Sequence, residues 1–286
     1  MKIIKQMEEM HAWSESQRAQ GLKIALVPTM GALHRGHLEL IRSAQKKANV
    51  TVVSIFVNPT QFGPHEDFDA YPRELESDSG KLREEKVDVL FAPSSQDMYE
   101  TEFQTSVEVK NISKGLCGDA RPGHFGGVAT VVLKLFNVVK PHCAVFGEKD
   151  YQQLLVIKHM VSNLNVDVEI VAHPIVRDPD GLVLSSRNVR LSEEERKKAL
   201  IVPATLIRAQ ELYKKGERSV PKIISQLRDF IDREGRVTLQ YLEVCDALTL
   251  KSISKIERKA VVALAVQVGS VRLIDNCFLG LYETLK

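Results

Sequence analysis

Short, largely apolar runs alternating with amphipathic stretches most constrain what this chain can become. The runs at 24–27, 51–57, 87–91, 143–146 and 166–171 read as buried strands, whose two faces both call for cover. Helical periodicity occupies 38–48, about 74–85, 128–139 and 151–163 between and after them. Buried strands alternating with amphipathic helices predict an α/β unit, a parallel sheet with helices on both faces. Ligands of such sheets bind beyond the carboxyl ends of the strands, which directs attention to the residues just after each run.

The pattern changes near residue 188. Ser192-Glu193-Glu194-Glu195 reads as a capping box that opens a helix through roughly Lys215, with Pro203 as an expected kink. Ser219 opens a second helix, whose apolar stripe of Ile223, Ile224, Leu227, Phe230 and Ile231 stops at Gly235. Strands follow at 237–244, 260–268 and 271–274, and Gly269-Ser270 is a two-residue hairpin signal. The chain is therefore expected to form an α/β domain over 1–187 and a smaller α+β domain with an antiparallel sheet over 188–286. Its 286 residues suffice for two such cores.

Composition removes several classes of function. Hydrophobic residues at 44% and charged residues at 27% fit a soluble globular protein. A net charge of +2 without a dense Lys/Arg block argues against a nucleic-acid surface. No apolar run approaches the roughly 18 residues of a membrane span, and charges break up the N-terminal stretch where a signal peptide would be apolar. A cytoplasmic location is the expectation. Cys117, Cys143, Cys245 and Cys277 lie far apart with no C-x-x-C pair, against a zinc site or disulfide framework. Neither G-x-x-x-x-G-K-[ST] nor a G-x-G-x-x-G after the first run occurs, so P-loop and ordinary dinucleotide chemistry are not indicated.

The strand ends carry the informative residues. After the first run comes PTMGALHRGH, from Pro28 to His37. A strand, a small-residue turn and a helix start suit phosphate binding on backbone N–H groups. His34 and His37 share a helix face and can each donate a directed hydrogen bond to an oxygen-rich anion. Asn58-Pro59-Thr60-Gln61-Phe62 closes the second run; Asn58 reads as a turn residue, Gln61 as an amide placed to grip a carboxylate or hydroxyl. Gly147-Glu148-Lys149-Asp150-Tyr151-Gln152-Gln153 leaves another strand. There Lys149 offers a point charge for phosphate, while Asp150 and Gln153 could equally form a helix cap. Leu184-Ser185-Ser186-Arg187-Asn188, after Asp178-Pro179-Asp180-Gly181, gathers two hydroxyls and a guanidinium.

PTMGALHRGH, NPTQF, RPGHFGGV, GEKDYQQ and LSSRN, in this order and spacing, resemble the pantothenate synthetase family. The likeness covers most of residues 24–190; beyond that only the α+β character agrees. It implies a Rossmann-like first domain of the H-x-G-H nucleotidyltransferase superfamily, with the second domain as a lid. It also implies a ligase that joins (R)-pantoate to β-alanine through a pantoyl adenylate, consuming ATP and releasing AMP and diphosphate. Carried over by position, the ATP-binding residues are Met30, Gly31, Ala32, Leu33, His34, Arg35, Gly36, His37, Gly147, Glu148, Lys149, Asp150, Val176, Leu184, Ser185, Ser186 and Arg187. Among these His37, His34 and Lys149 are the catalytic candidates, with His37 as proton donor. Gln61 and Gln153 would hold pantoate, and Gln61 would also meet β-alanine. Magnesium (Mg2+) and a homodimer are expected on the same ground. The metal's protein ligands are unassigned, Asp78 in Glu76-Ser77-Asp78 being the carboxylate considered. Two alternatives stay open on the residues alone. One is another adenylyltransferase of the superfamily, which would need a basic phosphate-reading pocket where Gln61 and Gln153 stand. The other is a nucleotide sensor that releases no diphosphate.

Overall fold

Continuous apolar strands need partners on both sides and cover on both faces, and the chain supplies them. A computed structural model describes residues 1–64, 66–234 and 237–280. By its contacts the chain divides into two compact units.

The first unit is built on six strands: β1 (Lys2–Ile4), β2 (Ile24–Thr29), β3 (Val50–Ile55), β4 (Val89–Phe91), β5 (Cys143–Gly147) and β6 (Glu169–His173). All are parallel, in the order β1-β4-β3-β2-β5-β6. Helices α1 (Met7–Ala19), α2 (Arg35–Gln45), α3 (Leu75–Glu84) and α4 (Ser95–Met98) belong to its first part. The alternation of side chains along a strand divides the core. Ala25, Val27, Val53, Leu90 and Val145 pack with Ile41 and Ala44 of α2 and Leu82 of α3.

The expected strands are all present, with ends shifted by a few residues. The additions in this part are β1, α1 and the one-turn α4; only Ile4 is buried in β1, so its three residues carry almost no pattern. Adjacent β2 and β5 send their onward connections in opposite directions, β2 to β3 and β5 to β6. This is the switch point at which open parallel sheets bind ligands.

Helix α5 (Leu116–Ala120) clusters with the second unit, α6 (His124–Val139) with the first, and α7 (Tyr151–Asn163) spans the expected 151–163. It is α6 that contacts both α1 and β2. The second unit comprises Lys114–Ala120, Lys149–Gln152 and the chain from Val176 onward. The compact units thus part after Ile175, earlier than the expected break after Arg187. The reason is local: Arg177 forms a two-pronged ion pair with Asp275 at 2.6 and 2.9 Å, which ties the segment after β6 to the C-terminal sheet.

In that unit α8 (Glu193–Ala199), α9 (Ile201–Lys214) and α10 (Val220–Glu234) accompany an antiparallel sheet of β7 (Thr238–Asp246), β8 (Ala260–Val268) and β9 (Val271–Leu279). Ser192 caps α8 as read: its hydroxyl accepts from Glu195 N at 3.2 Å, and Glu195 accepts from Ser192 N at 2.9 Å. The single kinked helix expected across Pro203 is instead two helices. Pro203 falls in the first turn of α9, where its missing N–H has no acceptor to lose, and its ring excludes a continuous helix through Ala199. The stop expected at Gly235 lies outside the described residues.

Candidate active site

The turn after β2 takes its shape from backbone geometry that few residues tolerate. Gly31 has φ +84° and Ala32 φ +49°. A Cβ on Gly31 would lie 3.1 Å from both Ile55 and an oxygen of Asp78. Asp78, on α3, is fully buried: one oxygen accepts from Ala32 N and the other from Leu33 N, both at 2.8 Å. Lys81, one turn on, donates to Leu33 O at 2.7 Å. Thr29 Oγ1 donates to Ser54 O at 2.8 Å and accepts from Gly31 N at 3.2 Å. The successive N–H groups expected to face a phosphate are therefore turned onto protein oxygens. Asp78 is a loop anchor, not a free carboxylate awaiting a metal. Among the described residues no three His, Cys, Asp or Glu side chains gather as a metal site.

What the turn does offer is a pair of imidazoles at the start of α2. His34 Nδ1 accepts from Gly36 N at 3.1 Å, and His37 Nδ1 accepts from His34 N at 3.4 Å. The rings lie 4.1 Å apart, tilted by 31°. With Nδ1 engaged as acceptor, the proton of each neutral ring sits on Nε2. Two Nε2–H donors thus stand at a helix N-terminus, whose dipole favours anions. Arg35 between them is exposed.

The turn after β3 carries Gln61, which is buried. Its Oε1 accepts from Asn58 Nδ2 at 3.0 Å, and its Nε2 donates to Met30 Sδ at 3.2 Å. The structure so brings two expected site residues, Met30 and Gln61, into contact. Asn58 is more than a turn former. It is buried, donates to Gly127 O at 3.2 Å, and accepts from Tyr99 OH at 2.9 Å and Thr60 Oγ1 at 3.0 Å. Burial pushes the Tyr99 phenol above its ordinary range, against the bonds to Thr60 and Asn58, so it stays a donor.

RPGHFGGV serves the same turn. His124 Nδ1 lies 2.8 Å from Gln61 O, and Arg121 Nη2 donates to Gln61 O at 3.1 Å. Arg121 also grips Glu66 through two nitrogens. Burial pushes the Glu66 carboxyl up, but the Arg121 bonds and charge outweigh it and hold it below its usual value. Gly127 of α6 has no alternative residue, because a Cβ there would come within 2.4 Å of Thr60 O. Asn58, Arg121 and His124 are not among the expected site residues, and Asp78 entered only as a carboxylate considered for the metal; all four act on groups distant in sequence.

Gly147 ends β5 and Glu148 opens the short 3-10 turn after it; both belong to the first unit, as does half-buried Gln153 in the first turn of α7. In the same motif Gln152 is the structural residue: it accepts from Cys117 N at 3.0 Å and donates to Lys114 O and Gly115 O.

The remaining expected residues lie in the second unit. Lys149 is three-quarters buried along its side chain, with Nζ 3.6 Å from Asp150, and its carbonyl accepts from Asn276 Nδ2 at 3.0 Å. Residues 177 and 183 pair as an antiparallel bridge around the Asp178-Pro179-Asp180-Gly181 turn. Arg196 binds both aspartates of that turn. Leu184 N donates to Val176 O at 3.1 Å, so Val176 and Leu184 sit side by side. Ser185, Ser186 and Arg187 follow, half-buried, with Arg187 N donating to Ser185 Oγ at 3.3 Å.

Comparison with known proteins gives a consistent answer. A family model described as pantoate-beta-alanine ligase matches residues 2–278. The pantothenate synthetase of Thermotoga petrophila is 53% identical over 280 residues, covering 98% of this chain and 100% of that protein. That of Syntrophus aciditrophicus is 50% identical, covering 98% of each. Among solved structures, a pantothenate synthetase from Thermus thermophilus superposes with a TM-score of 0.91 at 42% identity, covering 97% of this chain and 99% of that one. The pantoate-beta-alanine ligase of Francisella tularensis, solved with β,γ-ATP and β-alanine, gives 0.80 at 37% identity over 97% of each chain. No described helix is long and apolar enough to cross a membrane. With the family model, the curated relatives and the solved structures in agreement, the chain belongs to the pantoate–β-alanine ligases, the pantothenate synthetases.

Proposed function

We propose that the chain joins (R)-pantoate to β-alanine in two steps, with its own residues acting as binders and donors rather than as nucleophiles. Pantoate's carboxylate attacks the α-phosphorus of ATP, and diphosphate leaves. The amine of β-alanine then attacks the acyl carbon of the pantoyl adenylate, and AMP leaves. Both displacements build charge on phosphoryl or acyl oxygens, and preorganised donors are the most effective response to it. The observation that carries this reading is the histidine pair, each ring with Nδ1 turned to a backbone N–H and Nε2 as the nitrogen that donates.

In this reading residues 30–37, 147–150, 176 and 184–187 bind ATP. His34, His37 and Lys149 stabilise the transferring phosphoryl group, with His37 as proton donor, and Ser186 and Arg187 add phosphate donors. Gln61 and Gln153 hold pantoate, and Gln61 also meets β-alanine. The segment 184–188 is the mobile phosphate loop, and the second domain acts as a lid that keeps water from the adenylate. Magnesium is expected on the triphosphate, where it would neutralise the departing diphosphate, in keeping with its preference for few protein ligands. The active form is a homodimer of the 32.1 kDa chain. Four free thiols fit a reducing compartment, the cytoplasm.

The decisive experiment is isotope exchange. ATP and pantoate alone should drive labelled diphosphate into ATP, and adding β-alanine should release free AMP. Exchange that strictly required β-alanine would overturn the adenylate pathway.

A further inference from the structure

An amide side chain can offer a substrate either its oxygen or its nitrogen, and which one it offers is decided by what holds the other end. For Gln61 that decision is made three residues away. Asn58 has one end beside Thr60 N, which can only donate, at 3.4 Å, and the other beside Gly127 O, which can only accept, at 3.2 Å. These two contacts orient its oxygen and nitrogen, and the shorter bond from the Tyr99 hydroxyl strengthens the hold on the oxygen. Asn58 Nδ2 then faces Gln61 at 3.0 Å, so Gln61 turns its oxygen inward and its NH2 toward Met30. The thioether there is a weak acceptor that a carboxylate or hydroxyl oxygen displaces readily.

Tyr99 closes this arrangement from outside. Its hydroxyl donates to Asn58 Oδ1 at 2.9 Å and lies 3.2 Å from Thr60 Oγ1. Its ring is held independently, edge-on to Phe103 at 5.0 Å and under the Lys134 ammonium at 5.9 Å. We propose that Tyr99 is a positioning residue, which through Asn58 locks Gln61 with its NH2 presented to an oxygen of pantoate. Tyr99 itself touches no substrate. Without its hydroxyl, Asn58 loses its best-placed donor and Gln61 samples orientations that present the wrong atom. The proposal rests on the assignment of Gln61 to pantoate.

The test is a double-mutant cycle on adenylate formation, read as separate KM values for pantoate and ATP, with thermal melts. Gln61→Ala should raise the pantoate KM by at least about tenfold, as expected when bonds to a charged group are lost. Tyr99→Phe, which keeps the ring packing, should raise it about fivefold, the worth of one ordinary hydrogen bond, with the ATP KM and melting temperature unchanged. In the Gln61→Ala background Tyr99→Phe should add nothing. An unchanged pantoate KM in Tyr99→Phe, a rise in both KM values, or the same rise with Gln61 absent would each overturn the proposal while leaving Gln61 in place. If Gln61→Ala left the pantoate KM unchanged, the assignment of Gln61 would fall first, and the proposal with it.

Discussion

The turn after β2 and the loop that follows the 177–183 hairpin both carry proposed nucleotide residues, yet the bonds described for them differ in reach. The β2 turn is fixed from a distance. Asp78 reaches across 45 positions to Leu33, Lys81 across 48 to the same residue, and Thr29 across 25 to Ser54. Within the 184–191 loop, local bonds run from Asn188 Nδ2 to Val183 O at 2.9 Å, from Arg187 N to Ser185 Oγ and from Asn188 N to Ser185 O. A turn anchored in the core keeps its donors where they are before substrate arrives. A loop that closes over substrate, the role proposed for 184–188, needs bonds that travel with it. In the proposed reading, preorganisation and closure are divided between two segments of one chain.

The sharpest test of that division compares side chains with scaffold. His37→Ala and Lys149→Ala should each slow adenylate formation on the order of 100- to 1,000-fold, the usual cost of one preorganised donor, with melting temperatures near wild type. Single-turnover adenylation and melts on the same proteins decide it. Near-wild-type adenylation would remove the residue from the mechanism.

Next in size is the anchor. Asp78→Ala leaves two N–H groups without their acceptor and should cost about 3 kcal/mol of stability. Asn188→Ala, which removes one bond in a half-buried loop, should cost about 1 kcal/mol or less. Urea titration of the two variants measures the contrast, and hydrogen exchange should find the Ala32 and Leu33 amides slow in the native protein and fast in Asp78→Ala. Equal losses would mean that the two segments are held alike.

The smallest expected effect concerns pH. Glu66 is held below its usual value of 4.5 in the folded state, chiefly by Arg121 once burial is overcome. A depressed carboxylate contributes stability that is complete above its unfolded value and disappears as pH falls through the folded one. The stability gap between the wild type and Glu66→Gln should stay level at neutral pH and close below about pH 4.5. Because Glu66 is partly exposed, solvent screening limits that gap to about 1 kcal/mol. A gap that widened on acidification would contradict the assigned direction.

These contrasts also explain what could be read from the linear chain. Buried strands announce themselves through consecutive apolar residues, and 260–268 matches its strand to the residue. His34, Gly36 and His37 stand together in sequence and do so in space. Asp78 was readable only as a carboxylate near Glu76, because the groups it holds lie 45 and 46 positions earlier. Asn58 looked like half of an Asn-Pro turn for the same reason: Gly127 and Tyr99, which fix its amide, are brought to it by α6 and by the residue after α4. Pro203 was recognised as a disturbance, but whether it bends a helix or begins one depends on where the neighbouring helix stops.

The two N–H groups that Asp78 accepts from belong to consecutive residues, 32 and 33, at and just past a pair of positive φ angles. Converging N–H groups of this kind form the concave cradle in which many proteins seat a phosphate. Here the cradle arrives already occupied, its guest a carboxylate tethered to the neighbouring helix. On the proposed assignment of residues 30–37 to ATP, a phosphate would find the crook of the turn taken and would settle further along, at the imidazoles. The internal guest would then act as a placeholder that sets the depth to which the triphosphate can descend.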